Sequence, residues 1–151
     1  MSTNNRVFEE TLVIKYIDKD LKVFDKVQRC EGKTKDTDYY ISMDINSEIY
    51  PMKRDNSYTI LLVRSIYESK PTPKYFDYVM CGKVFQFSKD KVKNPVPEDS
   101  EPTLSIGISF GGLLFQISGL KRDEKTGKPK GFEDINLDDT LYLLIKNLKN
   151  N

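Results

Sequence analysis

The strongest constraint in this chain is a run of alternating apolar residues folded about two adjacent glycines, Ser105-Ile-Gly-Ile-Ser-Phe-Gly-Gly-Leu-Leu-Phe-Gln-Ile-Ser118. Gly111-Gly112 forms a two-residue loop able to take positive φ at both central positions of a primed hairpin turn. A hairpin folded there sets Phe110 opposite Leu113, Ile108 opposite Phe115 and Ile106 opposite Ile117. All six side chains then lie on one face, so turn and register demand the same structure.

The same period of two recurs along the chain. Tyr39, Ile41, Met43 and Ile45 alternate with Tyr40, Ser42, Asp44 and Asn46, and Phe8, Leu12, Ile14 and Tyr16 repeat the pattern less cleanly. Ile60 to Val63 and Leu141 to Ile145 are continuous apolar runs, as expected of strands covered on both faces. Phe24 to Arg29 and Phe76 to Phe87 supply further strands. The total is about eight, at the spacing of an all-β sandwich or barrel. Large apolar residues occupy even positions before Gly82 and odd positions after it. Either a β-bulge near Gly82 switches the faces, or the strand is buried on both sides. Phe132 to Asp139 could hold a helical turn.

A length of 151 residues suits one domain. We expect a short polar tail over residues 1–6 and a single barrel domain over 7–149. Two surface loops interrupt it: 88–103, with Pro95, Pro97 and Pro102, and 121–131, with Gly127, Pro129 and five basic residues.

Composition narrows the function. Twenty-four basic residues nearly cancel twenty-three acidic ones, for a net charge of +1. A protein holding nucleic acid mainly by its phosphates would carry a basic excess. Histidine is absent, which removes the commonest general base and metal ligand. Cys30 and Cys81 are far apart and form no zinc-type pair; with two cysteines and no secretory signal, reduced thiols are expected in preference to a single disulfide. No apolar run approaches the ~18 residues that span a bilayer.

Sites of known chemistry are not found. Gly32-Lys33-Thr34 looks like the end of a phosphate-binding loop, but Val27 stands where its first glycine belongs. Asp134, Asp138 and Asp139 are an acidic group better read as solvated loop carboxylates than as a cation site. Tyr75, Phe76, Tyr78, Phe85 and Phe87, near Lys83, Lys89 and Lys91, are read as core in preference to a base-stacking platform. No cofactor, metal, membrane or small-molecule substrate is expected, and no sequence-specific nucleic-acid binding.

Three segments in order resemble one family. Asp44-Ile45-Asn46-Ser-Glu48-Ile49-Tyr50-Pro51, Phe76-Asp77-Tyr78-Val79-Met80-Cys81-Gly82-Lys83-Val84-Phe85 and Ser109-Phe110-Gly111-Gly112-Leu113-Leu114 are similar to segments of the small subunit shared by eukaryotic RNA polymerases I, II and III. Phe24 to Arg29 and Leu141 to Lys146 carry weaker echoes. The resemblance implies an antiparallel β-barrel related to the OB-fold, without activity of its own. It implies a nuclear location, nucleolus included, and a seat against the largest polymerase subunit. Cys81 and Phe115-Gln116 depart from the family's usual residues, and 69–74 is shorter and 88–103 longer than usual. A free OB-like domain binding single-stranded nucleic acid is the alternative. A small barrel enzyme or ligand carrier is disfavoured by large apolar inward positions.

With the hairpin's apolar face in the core, a docking surface must come from outside it. Ser109, Gly111, Gly112 and Leu114 are the candidates. Bare glycine backbone permits close approach by a partner, and Leu114 points away from the interior. Leu114 is either an anchor for the largest subunit or covered by the 121–131 loop.

Overall fold

The computed structural model describes residues 5–19, 25–66, 73–90 and 102–148. Its eight strands are β1 (Arg6–Ile17), β2 (Val27–Thr34), β3 (Tyr40–Asn46), β4 (Ser57–Val63), β5 (Tyr78–Lys89), β6 (Leu104–Phe110), β7 (Leu113–Leu120) and β8 (Thr140–Asn147). They close into an antiparallel barrel in the order β1-β2-β3-β7-β6-β5-β8-β4. Read as halves, β1–β4 stand in the spatial order 4-1-2-3 and β5–β8 in the order 8-5-6-7. Each half is therefore a Greek key, and the two join along β3–β7 and β4–β8.

Alternation places Leu12, Ile14, Ile41, Met43, Ile106, Ile108, Phe115 and Ile117 inside, each almost wholly buried. The hairpin pairs as its sequence demands, Phe110 with Leu113, Ile108 with Phe115 and Ile106 with Ile117. Gly111 and Gly112 take φ of 63° and 97°. Gly111→Val puts a β-branched residue into that left-handed conformation and should cost about 1–3 kcal/mol. An unchanged urea midpoint would refute the strain at this turn.

The continuous apolar runs are neighbours, β4 against β8. Their outward residues Leu61, Val63 and Leu144 are buried beneath Ile66, Phe76 and Tyr142, so both faces are covered. Connections plug the barrel's ends. Phe132 and Ile135, from the β7–β8 connection, join the core at one end. At the other, Met52 and Tyr58 are buried under the β3–β4 connection, where Tyr58 Oη accepts the Lys53 amide at 3.0 Å.

Several expectations change. The bulge expected near Gly82 falls between Val84 and Gln86. Tyr78, Gly82 and Val84 point inward and Phe85 outward by alternation, and the extra residue leaves Gln86 outward too, so that Phe87 returns to pack against the core. Gly82 serves a different purpose, since a Cβ there would meet the Phe110 ring at 2.5 Å. β5 starts at Tyr78, and Phe76 belongs to the outer apolar cluster. The five aromatics of 75–87 are thus only partly core, with Tyr75 and Phe85 exposed. β2 begins at Val27 and runs on to Thr34, so Gly32-Lys33-Thr34 is strand, while Phe24 lies outside the described residues. Phe132 to Asp139 forms successive turns without a helix; the Ile135 amide donates to Phe132 O at 3.0 Å.

At the start, Asn5 is tied to Ser65 and Arg6 already pairs with Val63. Residues 91–101 of the first loop fall outside the described set. The second loop folds back on itself, with Arg122 bridging Pro129 and the Lys130 amide donating to Lys121 O at 2.8 Å.

Candidate docking surface

The hairpin tip is built from its own turn outward. The Gly112 amide donates to Ser109 Oγ at 3.2 Å, so the half-buried Ser109 braces the turn. A Cβ on Gly111 or Gly112 would meet nothing within 4 Å, which leaves this backbone open to approach. Leu114 projects from the outer face and is 44% exposed. The 121–131 loop therefore does not bury it.

Asp44 fixes where Leu114 sits. The β3–β7 ladder stops at Met43 and Phe115. One residue further, the Asp44 carboxylate takes over, accepting the Leu114 amide on Oδ2 at 3.1 Å. Arg29, opposite Asp44 in the β2–β3 register, donates to both its oxygens, at 2.7 and 3.1 Å. This paired fork is the strong form of a charged hydrogen bond, and it lets a buried carboxylate clamp three strands. Sequence reasoning named Ser109, Gly111, Gly112 and Leu114 but missed Asp44. Its signal was a charge at an outward position of β3, legible only with the β2 register.

Phe85 extends the surface. It lies across Gly107, where a Cβ would stand 3.0 Å from its ring, and is 47% exposed. Gly107 and Ser109 are alternate residues of β6, and Ser109 pairs with Leu114. Phe85, Ser109 and Leu114 thus share the outer face of β5–β6–β7.

Elsewhere the chemistry is structural. Asp134 pairs with Arg64 at 2.7 Å, and Asp139 accepts the Asn136 amide at 2.8 Å. Among the described residues no group of three His, Cys, Asp or Glu is placed to hold a metal ion. None of their helices is long and apolar enough to cross a membrane. An open cleft of about 450 Å³ lies by Tyr50, Lys53, Tyr58, Asp77 and Asn147. There Tyr50 donates to Asp77 at 2.9 Å, and burial together with that bond pushes its phenol up.

The thiols differ sharply. Cys81 is exposed and Cys30 is buried. Burial, then the charges of Asp18, Asp44 and Glu31, push Cys30 from 9.0 up to about 12. A native-state thiol reagent should therefore modify one cysteine, and a second only after denaturation. Because the folded value is raised, this thiol's contribution is fully present below pH 9 and is lost as pH rises from 9 towards 12. Rapid labelling of both cysteines at pH 8 would contradict the burial of Cys30.

Taken together, this is a double Greek-key barrel whose interior, among the described residues, is packed with buried apolar side chains. The profile of RNA polymerase Rpb8 matches residues 9–147, from β1 through β8. Subunit 8B of DNA-directed RNA polymerases II, IV and V from Arabidopsis thaliana is 28% identical, over 98% of this chain and all of the relative. The rpabc3 subunit of RNA polymerases I, II and III from Dictyostelium discoideum is 32% identical, over 93% of this chain and 96% of its own. A probable subunit of the same three polymerases from Caenorhabditis elegans is 30% identical, over 93% and 95%. The chain belongs to the RNA polymerase Rpb8 family.

Proposed function

We propose that this chain is a structural subunit shared by nuclear DNA-directed RNA polymerases I, II and III, without catalysis of its own. In this reading it acts in the nucleus, nucleolus included, and docks on the largest subunit through Ser109, Gly111, Gly112 and Leu114. The observation that carries the subunit role is the family match over residues 9–147, which reaches all eight strands. The docking site rests on the exposure of Leu114 beside bare backbone. A large apolar group next to accessible amides suits an interface centre, where a few anchors carry most of the affinity.

A tagged copy should co-purify in stoichiometric amount with polymerase subunits. Leu114→Asp should leave barrel stability within about 0.5 kcal/mol, as for other surface changes. It should weaken incorporation by about 2 kcal/mol, roughly thirtyfold in affinity. Purification in which the folded variant assembles as well as the parent would move the docking site elsewhere. A parent chain that never accompanies polymerase would instead overturn the subunit reading.

A further inference from the structure

The outer face of β1–β3 holds a charge with an unusual setting. Glu31 is only 7% exposed although it points away from the core. Its Oε1 accepts the Tyr40 hydroxyl at 2.9 Å, while its Oε2 is buried with no hydrogen-bond partner among the described residues. A buried carboxylate oxygen left unmatched is costly, and a cation is what relieves it.

Two aromatic rings flank this carboxylate. Tyr16 is directly opposite Glu31 in the β1–β2 register, brought to the outer face by the bulge between Ile14 and Tyr16. Tyr40 lies on the other side, one diagonal step along β3, and bonds Glu31 through its hydroxyl. An ammonium already stands at the rings: Lys19 Nζ is 5.0 Å from the Tyr16 centroid and 5.9 Å from that of Tyr40. Both distances fall within the reach of a cation–π contact, yet Glu31 Oε2 stays unmatched. Two other cations of this face are engaged elsewhere, Arg29 forked onto Asp44 and Lys33 3.6 Å from Asp38, while Lys15 stands at the same Tyr16 ring, 5.5 Å from its centroid.

We propose that Glu31, Tyr16 and Tyr40 form a receptor for a cationic side chain, lysine or arginine, of a partner polypeptide, with Lys19 as its internal placeholder. An entering cation would displace Lys19 from the rings and donate to Glu31 Oε2, satisfying the buried oxygen. A nucleic-acid strand fits less well, because the unmatched group is an anion and would repel phosphate. This receptor is independent of the hairpin-tip docking site and stands on different residues.

The test is an NMR titration of the full chain with an acetylated oligolysine peptide, with oligothymidylate in parallel. The peptide should shift the amides of Tyr16, Glu31 and Tyr40. Lys19→Ala should tighten binding about threefold, the worth of one exposed cation–π contact. Glu31→Gln, which keeps an acceptor for Tyr40, should abolish the shifts. Unchanged peptide affinity in Lys19→Ala would overturn the proposal and leave ordered water as the partner of Oε2. Equal binding by a folded Glu31→Gln, or shifts at these amides from oligothymidylate and not from peptide, would overturn it too. Should Glu31→Gln fail to fold, the Lys19→Ala comparison decides alone.

Discussion

Gly32→Ala is expected to lower the melting temperature by about 8–15 °C, on a loss of about 3–4 kcal/mol, the upper end for overpacking in a domain of this size. Gly32 lies in β2 opposite Ile14 of β1. A Cβ there would stand 1.9 Å from Val13 O and 2.9 Å from its carbonyl carbon. Those are backbone atoms held in a ladder, so no side chain can rotate away. Relief requires β1 and β2 to part, breaking the pairing beside the Ile14–Tyr16 bulge. Lys33→Ala, on the exposed neighbour, should stay within about 0.5 kcal/mol. Equal melting of the two variants would mean that β1 does not run this close to β2.

Phe132→Ala should cost about 3–5 kcal/mol, the range for emptying a buried aromatic site. Phe132 is 1% exposed and stacks on Phe8 with centroids 6.2 Å apart. With Ile135 it closes one end of the barrel, so truncation opens a cavity between β1 and the β7–β8 connection. Surrounding strands are fixed by two-sided pairing and cannot collapse into it. Urea unfolding checks this, and a loss below 1 kcal/mol would mean that Phe132 is a surface residue of its turn.

These two positions mark where local reading stops. Gly32-Lys33-Thr34 invited comparison with a phosphate loop, and rejecting that motif left its glycine without a reason. The reason is a strand nineteen residues earlier passing over it, Val13 against Gly32. Phe132 sat in a segment that suggested a helical turn, yet its place is set by Phe8, at the opposite end of the chain.

What the sequence by itself determined is whatever short-range chemistry dictates. Two glycines and a strict alternation specify the 104–120 hairpin, its register and its outward Leu114, because turn and partner are adjacent in the chain. The apolar runs of β4 and β8 likewise announce strands covered on both sides. Tertiary structure alone decided the strand order, since nothing local tells β4 to lie between β1 and β8. It also decided where β5 bulges. Asp138 and Asp139 close onto the Val84 backbone at 2.8 and 3.0 Å, and just beyond that contact the extra residue leaves Gln86 outward and turns Phe87 back against the core. Asp44 reaches the Leu114 amide across seventy residues, and the buried Glu31 accepts from Tyr40 of β3 and stands opposite Tyr16 of β1. Both looked like ordinary outward charges, because the burial of an outer-face residue depends on neighbouring strands, which the period of its own strand does not encode.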